Sequence, residues 1–278
     1  MTLPDLTAAD TTPAWCPACG NFALLKAFNA AMAESGLDPD KVVLVSGIGQ
    51  AAKLPHYTAE KFNVFNGLHG RALPAATGIK CANHELEVIV TSGDGDLYGE
   101  GGNHLIHAMR RNIGIKVLAH NNQVYGLTKG QASPTSDEGF VTKVQTHGVL
   151  LRPFNPLAVA IAAECSLVAR SFTGDAAHLR AMMAAVLKHR GGFALLDILQ
   201  PCPSFNHLNT FRWYRERVKP IPDTHDPGNR QQALELAFQW GDTIPIGIVY
   251  RHERPTFESR LPVLKAGTLV QQYGRAAG

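Results

Sequence analysis

No stretch of about 18 uninterrupted apolar residues occurs in the 278-residue sequence, so no segment reads as a membrane-spanning helix, and no membrane partner is expected. Charge is sparse too. Charged residues make up 18% of the chain and the formal net charge is +3, too mild and too dispersed for an electrostatic nucleic-acid binder. The opening MTLPDLTAADTTPAW has neither the basic nor the apolar region of an export signal, and the expectation is a soluble, cytoplasmic protein. Cysteine is scarce, with five residues. An odd number without an export signal argues against a disulfide framework and for metal binding or buried thiols. Nothing repeats at a fixed period, and no segment is low-complexity.

What is present is a regular alternation. Val- and Ile-rich runs recur at Lys41 to Gly47, Leu86 to Gly93, Ile115 to Asn121, Ser166 to Phe172 and Phe193 to Leu199, and read as buried parallel strands. Between them lie helical patterns at Asn21 to Ser35, Leu73 to Asn83, Asn103 to Arg111, Pro156 to Cys165 and Asp175 to Arg190. Strands alternating with helices predict an α/β fold with a doubly wound, mostly parallel sheet. After about Asn206 the alternation fails, giving FRWYRERVKP, a linker near Asp223 to Gly228, a short helix near Gln231 to Trp240 and the strand-like IPIGIVY. The expected division is an arm over 1–15, a cofactor domain over 16–206 and a C-terminal extension over 207–278 that packs on a partner subunit.

The stretch SGDGDLYGEGGNHLIHAMRRNIGIKVLAHNNQVYG carries the chemistry. If the runs ending at Ser92 and His120 are parallel strands joined by one right-handed crossover, Asp94 and Asn122 meet on the carboxyl edge of the sheet, where such folds bind ligands. The helix between them, beginning near Gly99 to Asn103, favours an anion at its N-terminus. An Asp oxygen, an Asn amide oxygen and a main-chain carbonyl are hard ligands of the kind Mg²⁺ takes, with phosphate and water completing the shell. Glycines 93, 95, 99, 101 and 102 let main-chain N–H groups approach phosphates.

GDG followed, 28 positions after its Asp, by the second residue of NN resembles the thiamine diphosphate motif of thiamine-dependent enzymes. The resemblance implies Mg²⁺ held by Asp94, Asn122 and the carbonyl of Val124. Before the first helix stands WCPACGN, and Cys202 sits in QPCPSFN just past the last strand, on the same sheet edge. A CxxC pair can bind zinc, act in redox chemistry or be structural. Beside a thiamine site, Cys16, Cys19 and Cys202 point to an iron–sulfur cluster.

Together with SGIG (Ser46 to Gly49), HGRALPAATG, HNNQVYGLTKGQASPT and IPIGIVYRHERPTFE, these residues resemble the beta subunit of 2-oxoacid:ferredoxin oxidoreductases, from Trp15 to about Arg260. The resemblance implies CoA-dependent oxidative decarboxylation of a 2-oxoacid to acyl-CoA, CO₂ and reduced ferredoxin, and the reverse carboxylation. It also implies a partner alpha (or fused gamma-alpha) subunit that supplies the glutamate activating the aminopyrimidine. The cofactor pocket it implies comprises Ser46, Gly47, Ile48, Gly49, His69, Gly93, Asp94, Gly95, Asp96, Asn122, Val124, Gly126, Leu127 and Thr128, with Asp96 and Asn103 orienting the phosphate loop. The implied cluster is [4Fe–4S], but many family members carry a cysteine directly after SGIG where this chain has Gln50, so the fourth ligand is unassigned.

Further candidates remain. His69 and Arg71 read equally well as a hydrogen-bonded loop histidine and a surface arginine, but the resemblance carried by HGR implies that His69 lies in the cofactor pocket, where it would hydrogen-bond the reacting adduct. Lys129, just past the Mg²⁺ strand, is placed to meet a substrate carboxylate or CoA phosphates. A second carboxylate would suit it, which favours 2-oxoglutarate over pyruvate. His104 and His107 share a helix at i and i+3, a spacing open to metal but commoner on a packed face, and Cys81 and Cys165 read as small buried hydrophobes. Competing readings are a non-redox thiamine decarboxylase or carboligase component whose cysteines bind zinc or nothing, and a thiamine diphosphate-binding regulatory or assembly subunit.

Overall fold

The computed structural model describes residues 12–277, so most of the expected arm lies outside the described residues. In chain order the strands are β1 (Val42–Ser46), β2 (Asn63–Asn66), β3 (Glu87–Gly93), β4 (Ile115–Asn121), β5 (Val124–Tyr125), β6 (Gln131–Ala132), β7 (Leu167–Phe172), β8 (Ala194–Leu199), β9 (Val218–Pro220) and β10 (Ile244–Arg251). The helices are α1 (Gly20–Ser35), α2 (Ala72–Ala82), α3 (Gly102–Arg111), α4 (Pro156–Ala162), α5 (Ala176–Lys188), α6 (Phe211–Arg217), α7 (Arg230–Ala237) and α8 (Leu269–Ala277). Among the described residues, no helix is long and apolar enough to cross a membrane. Eight strands form one sheet in the order β2-β1-β3-β4-β8-β7-β10-β9, and β5 pairs with β6 in a separate hairpin. Within the large sheet only β7 and β10 are antiparallel.

The strands are apolar on both faces because both faces are covered. Val42 and Leu44 of β1, Ile89 of β3, Leu118 of β4 and Leu196 of β8 pack with α1 and α5. Their neighbours Val43, Val45, Val88, Val90, Val117 and Leu195 pack with α2, α3, α4 and α7. This period of two within each strand, between two helical layers, is the doubly wound architecture expected of the alternation. Helix starts are set by side-chain caps: Asn155, Asp175, Thr210 and Asn229 accept from the main-chain N–H groups of Ala158, His178, Trp213 and Gln232.

Three features depart from the expected outline. Helix α4 stops at Ala162 instead of Cys165, because Glu164 turns left-handed (φ 56°) to bring the chain into β7. Asn63–Asn66, outside every expected element, is an exposed edge strand beside β1; four residues with Asn at both ends give no strand period to detect. The segment after Asn206 returns to the sheet: β10 pairs with β7, β9 pairs with β10, and Tyr214 of α6 joins Phe172, Leu199, Ile244 and Ile246 in a satellite core.

Candidate active site

Strands β1, β3, β4 and β8 run parallel as neighbours, so Ser46, Gly93, Asn121 and Leu199 end on one edge of the sheet. Asp94 follows β3 directly and caps a π-helical turn, Gly95–Glu100, that leads into α3. Helix α3 then begins at Gly102, within the expected Gly99 to Asn103, and the π-helical turn before it is a wide turn of the sort that marks functional sites. Gly47 at the end of β1 must be glycine: a Cβ there would lie 1.9 Å from Asp96 Oδ2 and 2.2 Å from Ser92 Oγ. Gly95 is equally constrained by Tyr125, whose Cε1 would be 2.2 Å away.

Asp94 is 2% exposed. Its Oδ2 accepts from Ser133 Oγ at 2.5 Å and Thr135 Oγ1 at 2.6 Å, and the main-chain N–H groups of Asn122 and Gly95 also donate to the carboxyl. Burial pushes its pKa up to about 6 against these four donors, so ionising this carboxyl is costly in a way that a neighbouring cation would relieve. The N–H of Asn122 on Asp94 brings the two residues together, as their spacing required. Asn122 Oδ1 accepts from Val124 N at 3.0 Å, and Gln123 between them is left-handed (φ 56°). That turn is clamped by Ser136 Oγ on Gln123 O at 2.6 Å, by Gln123 Nε2 on Thr135 O at 2.8 Å, and by Tyr214 OH on Gln123 Oε1.

Ser133 and Thr135 reach Asp94 because the β5–β6 hairpin folds the chain back over the edge, with Lys129 (φ 69°) and Gly130 (φ 99°) at its tip. Both stand inside HNNQVYGLTKGQASPT, yet neither is among the residues expected at the site; isolated Ser and Thr in a polar loop carry no period that would single them out. Behind them Thr135 Oγ1 also lies 2.9 Å from Asn121 Oδ1, and Asn121 Nδ2 donates to Asp197 Oδ1 at 3.0 Å. Asp197, fully buried in β8, accepts as well from Tyr98 OH at 2.9 Å and Arg170 Nε at 3.2 Å. His120, in HNN, is fully buried between Asn21 Oδ1 (2.9 Å) and Thr91 Oγ1 (2.8 Å); burial drives its pKa down to about 3, so it is a neutral strut.

A cavity of about 700 Å³ opens over this edge. Of the residues expected at the site, Gly47, Ile48, Gly49, His69, Gly93, Asp94, Gly95 and Asp96 line it. So do Asn122, Val124, Gly126, Leu127, Thr128, Lys129 and the three cysteines. Ser46 does not; it is fully buried, and its hydroxyl has no hydrogen-bond partner among the described residues. Asp96 ties the loops together, accepting from Gly70 N at 2.6 Å and Ser92 Oγ at 2.7 Å. His69 Nδ1 sits 2.7 Å from Glu100 Oε2. Arg71 and Asn103 are exposed and do not line the cavity.

Cys16, Cys19 and Cys202 converge on the same cavity, while Cys165 is buried in the core and Cys81 half-buried in α2. Main-chain N–H groups of Phe205, Ser204 and Asn206 are directed at the Cys202 sulfur, and that of Asn21 at Cys19. Burial raises both thiols; Cys202 and Cys16 push Cys19 up further, and Cys16 does the same to Cys202. N–H groups aimed at sulfurs that repel one another as thiolates suit a positively charged group between them. Among the described residues no three His, Cys, Asp or Glu side chains stand close enough to hold a single metal ion, His104 and His107 included. Three thiols on one cavity wall, two of them with main-chain N–H groups aimed at the sulfur, are a donor set that a cluster held on thiolates would fit.

Comparison with known proteins agrees with the geometry. Residues 27–198 match the family model described as thiamine pyrophosphate enzyme, C-terminal TPP binding domain. Residues 202–266 match the model for the C-terminal part of the pyruvate ferredoxin oxidoreductase beta chain. The chain is 44% identical over 259 residues to the 2-oxoacid:ferredoxin oxidoreductase subunit beta of Saccharolobus solfataricus, covering 89% of this chain and 85% of that one. It is 46% identical over 202 residues to the 2-oxoglutarate oxidoreductase subunit KorB of Mycobacterium tuberculosis, covering 73% of this chain and 53% of that one. A solved structure of 2-oxoglutarate:ferredoxin oxidoreductase from Magnetococcus marinus, with 2-oxoglutarate, coenzyme A and succinyl-CoA bound, superposes with a TM-score of 0.87 at 34% identity, covering 99% of this chain and 92% of that one.

Proposed function

Because the chain belongs to the beta subunits of the 2-oxoacid:ferredoxin oxidoreductases, a family of enzymes, we propose that it acts on 2-oxoglutarate with coenzyme A, forming succinyl-CoA and CO₂ and passing electrons to ferredoxin. It does so with an alpha, or fused gamma-alpha, partner, and the reaction runs in reverse where ferredoxin is reducing enough. The observation that carries this reading is that the Asp94–Asn122 turn and the three cysteines open into one cavity. That shared lining supports a thiamine site with an electron exit beside it, which a non-redox carboligase has no use for.

Thiamine diphosphate, when bound, supplies the electron sink for decarboxylation. The chain's part is positioning. Asp94, the Asn122 side chain and the Val124 carbonyl would hold Mg²⁺, whose charge would relieve the buried carboxylate. The SGIG loop and the glycines flanking Asp94 let main-chain N–H groups approach the diphosphate, and Asp96 keeps that loop in register with Gly70. Glu100 holds His69 by Nδ1, which leaves Nε2 to hydrogen-bond the substrate or to carry its proton. Lys129, exposed at the hairpin tip on the cavity wall, would meet the distal carboxylate of 2-oxoglutarate.

The test is an anaerobic assay of the complex with its partner subunit, CoA and an electron acceptor against a panel of 2-oxoacids, with iron and Mg²⁺ measured in the same preparation. The expected kcat/KM for 2-oxoglutarate exceeds that for pyruvate by at least roughly tenfold, since only the longer acid offers the Lys129 ammonium a carboxylate. A preference for pyruvate overturns the substrate; an iron-free complex overturns the electron exit.

A further inference from the structure

The cysteine corner also holds two glutamines whose side-chain oxygens have no partner. Gln50 Oε1 and Gln200 Oε1 are both enclosed and accept no hydrogen bond among the described residues, and both residues line the cavity with Cys16, Cys19 and Cys202. An amide oxygen left in this condition costs about 1–3 kcal/mol, so two in one corner mark a place where something else is to be bound. The glutamines are held differently. Gln200 is 1% exposed and its Nε2 reaches Cys19 Sγ at 3.5 Å, so its amide is already turned towards sulfur. Gln50 is pinned through its backbone: Trp15 Nε1 donates to its carbonyl at 2.9 Å, which anchors Gln50 beside the start of the CxxC turn.

We propose that Gln50 Oε1 closes the cysteine corner as a neutral oxygen donor, so that the corner holds an iron–sulfur cluster on three thiolates with one weakly bound iron. Gln200 assists by donating Nε2–H to the sulfur of Cys19. This rests on the iron–sulfur reading above. A carboxamide oxygen is a hard, uncharged donor, while a cluster iron prefers soft, anionic sulfur. The corner iron is therefore the exchangeable one. The site as a whole carries one negative charge fewer than it would on four thiolates, and the N–H···S contact withdraws charge in the same sense, so the reduction potential is raised.

The test compares wild type with Gln50→Cys and Gln50→Ala, each purified anaerobically as the complex with its partner subunit and checked for folding by its circular-dichroism melt. Ferricyanide takes one electron from the cluster and is reduced to ferrocyanide; the oxidised cage then releases its corner iron as Fe²⁺, which a chelator records. Wild type is expected to release Fe²⁺, to show the electron-paramagnetic signal of the iron-depleted cage, and to recover when Fe²⁺ and thiol are added back. Gln50→Cys should keep its iron and titrate at a lower potential, while Gln50→Ala should lose iron faster than wild type. Equal iron retention and equal potential in wild type and Gln50→Cys overturn the proposal, because the remaining ligand must then come from elsewhere. Identical release from Gln50→Ala and wild type also overturns it, since Oε1 would then bind nothing. If neither wild type nor Gln50→Cys holds iron while the wild-type complex binds thiamine diphosphate, the iron–sulfur reading itself fails.

Discussion

Ser133 Oγ donates to Asp94 Oδ2 at 2.5 Å, across 39 positions of sequence, from a hairpin that folds over the carboxyl edge of the sheet. The contact shows how this chain keeps a fully buried carboxylate usable. Burial alone would protonate Asp94; two hydroxyls and two main-chain N–H groups hold it back to a pKa of about 6. A cation beside Asp94 would relieve the cost of ionisation that remains.

Asp94→Asn should stabilise the cofactor-free protein and abolish its Mg²⁺-dependent binding of thiamine diphosphate. The carboxyl titrates near 6 in the folded chain and at 3.8 when unperturbed, so the folded state binds the proton more tightly. Its contribution to stability is full below about pH 4 and lost as pH rises through about 6. The neutral variant escapes that loss. Urea unfolding at pH 7 should show a gain of up to about 3 kcal/mol over wild type, shrinking towards zero near pH 4. A gain that is constant with pH would contradict the assignment of Asp94 as the strained group.

Gly47→Ala should damage both fold and site. The new Cβ would overlap Asp96 Oδ2 and Ser92 Oγ, the first of which cannot retreat without losing its place between Ser92 and Gly70. Overpacking of this kind costs about 1–3 kcal/mol. Thermal melting should fall accordingly, and affinity for thiamine diphosphate, read by fluorescence quenching, should fall with it. Gly126→Ala, where nothing lies within 4 Å of the added Cβ, serves as the tolerant control for melting.

Asp197→Ala should be among the most damaging substitutions away from the cavity. It removes the acceptor for Tyr98, Asn121 and Arg170 and leaves the Arg170 guanidinium buried without its counter-ion. Breaking a buried pair from one side costs about 3–5 kcal/mol. The double variant Asp197→Leu with Arg170→Met should recover much of this in urea unfolding. It should not restore thiamine diphosphate affinity, because Asn121 would still lack the anchor that sets Thr135 against Asp94.

Lys129→Gln should raise KM for 2-oxoglutarate by about tenfold and leave KM for pyruvate nearly unchanged, since only the longer acid has a second carboxylate for the ammonium to meet. Initial-rate kinetics on the complex decide this. An equal change for both acids would place Lys129 against the shared carboxylate or the CoA phosphates.

The architecture and the meeting of Asp94 with Asn122 are written in the order of residues along the chain. Five apolar runs alternating with amphipathic helices call for one mostly parallel sheet between two helical layers, because strands apolar on both faces must be covered on both, and the strand, helix, strand spacing then brings Asp94 and Asn122 to the same edge. Cys16, Cys19 and Cys202 are legible for the same reason: each flanks an element whose end lies on that edge. What surrounds them emerges only on folding. Ser133 and Thr135 at Asp94, Gln200 at Cys19 and Asp197 beneath Asn121 are single polar residues with no period and no spacing rule, brought in by the chain returning from the β5–β6 hairpin and by neighbouring strands. Long-range packing, not local pattern, supplies the partners that set a buried group's charge, and it also folds β10 antiparallel onto β7.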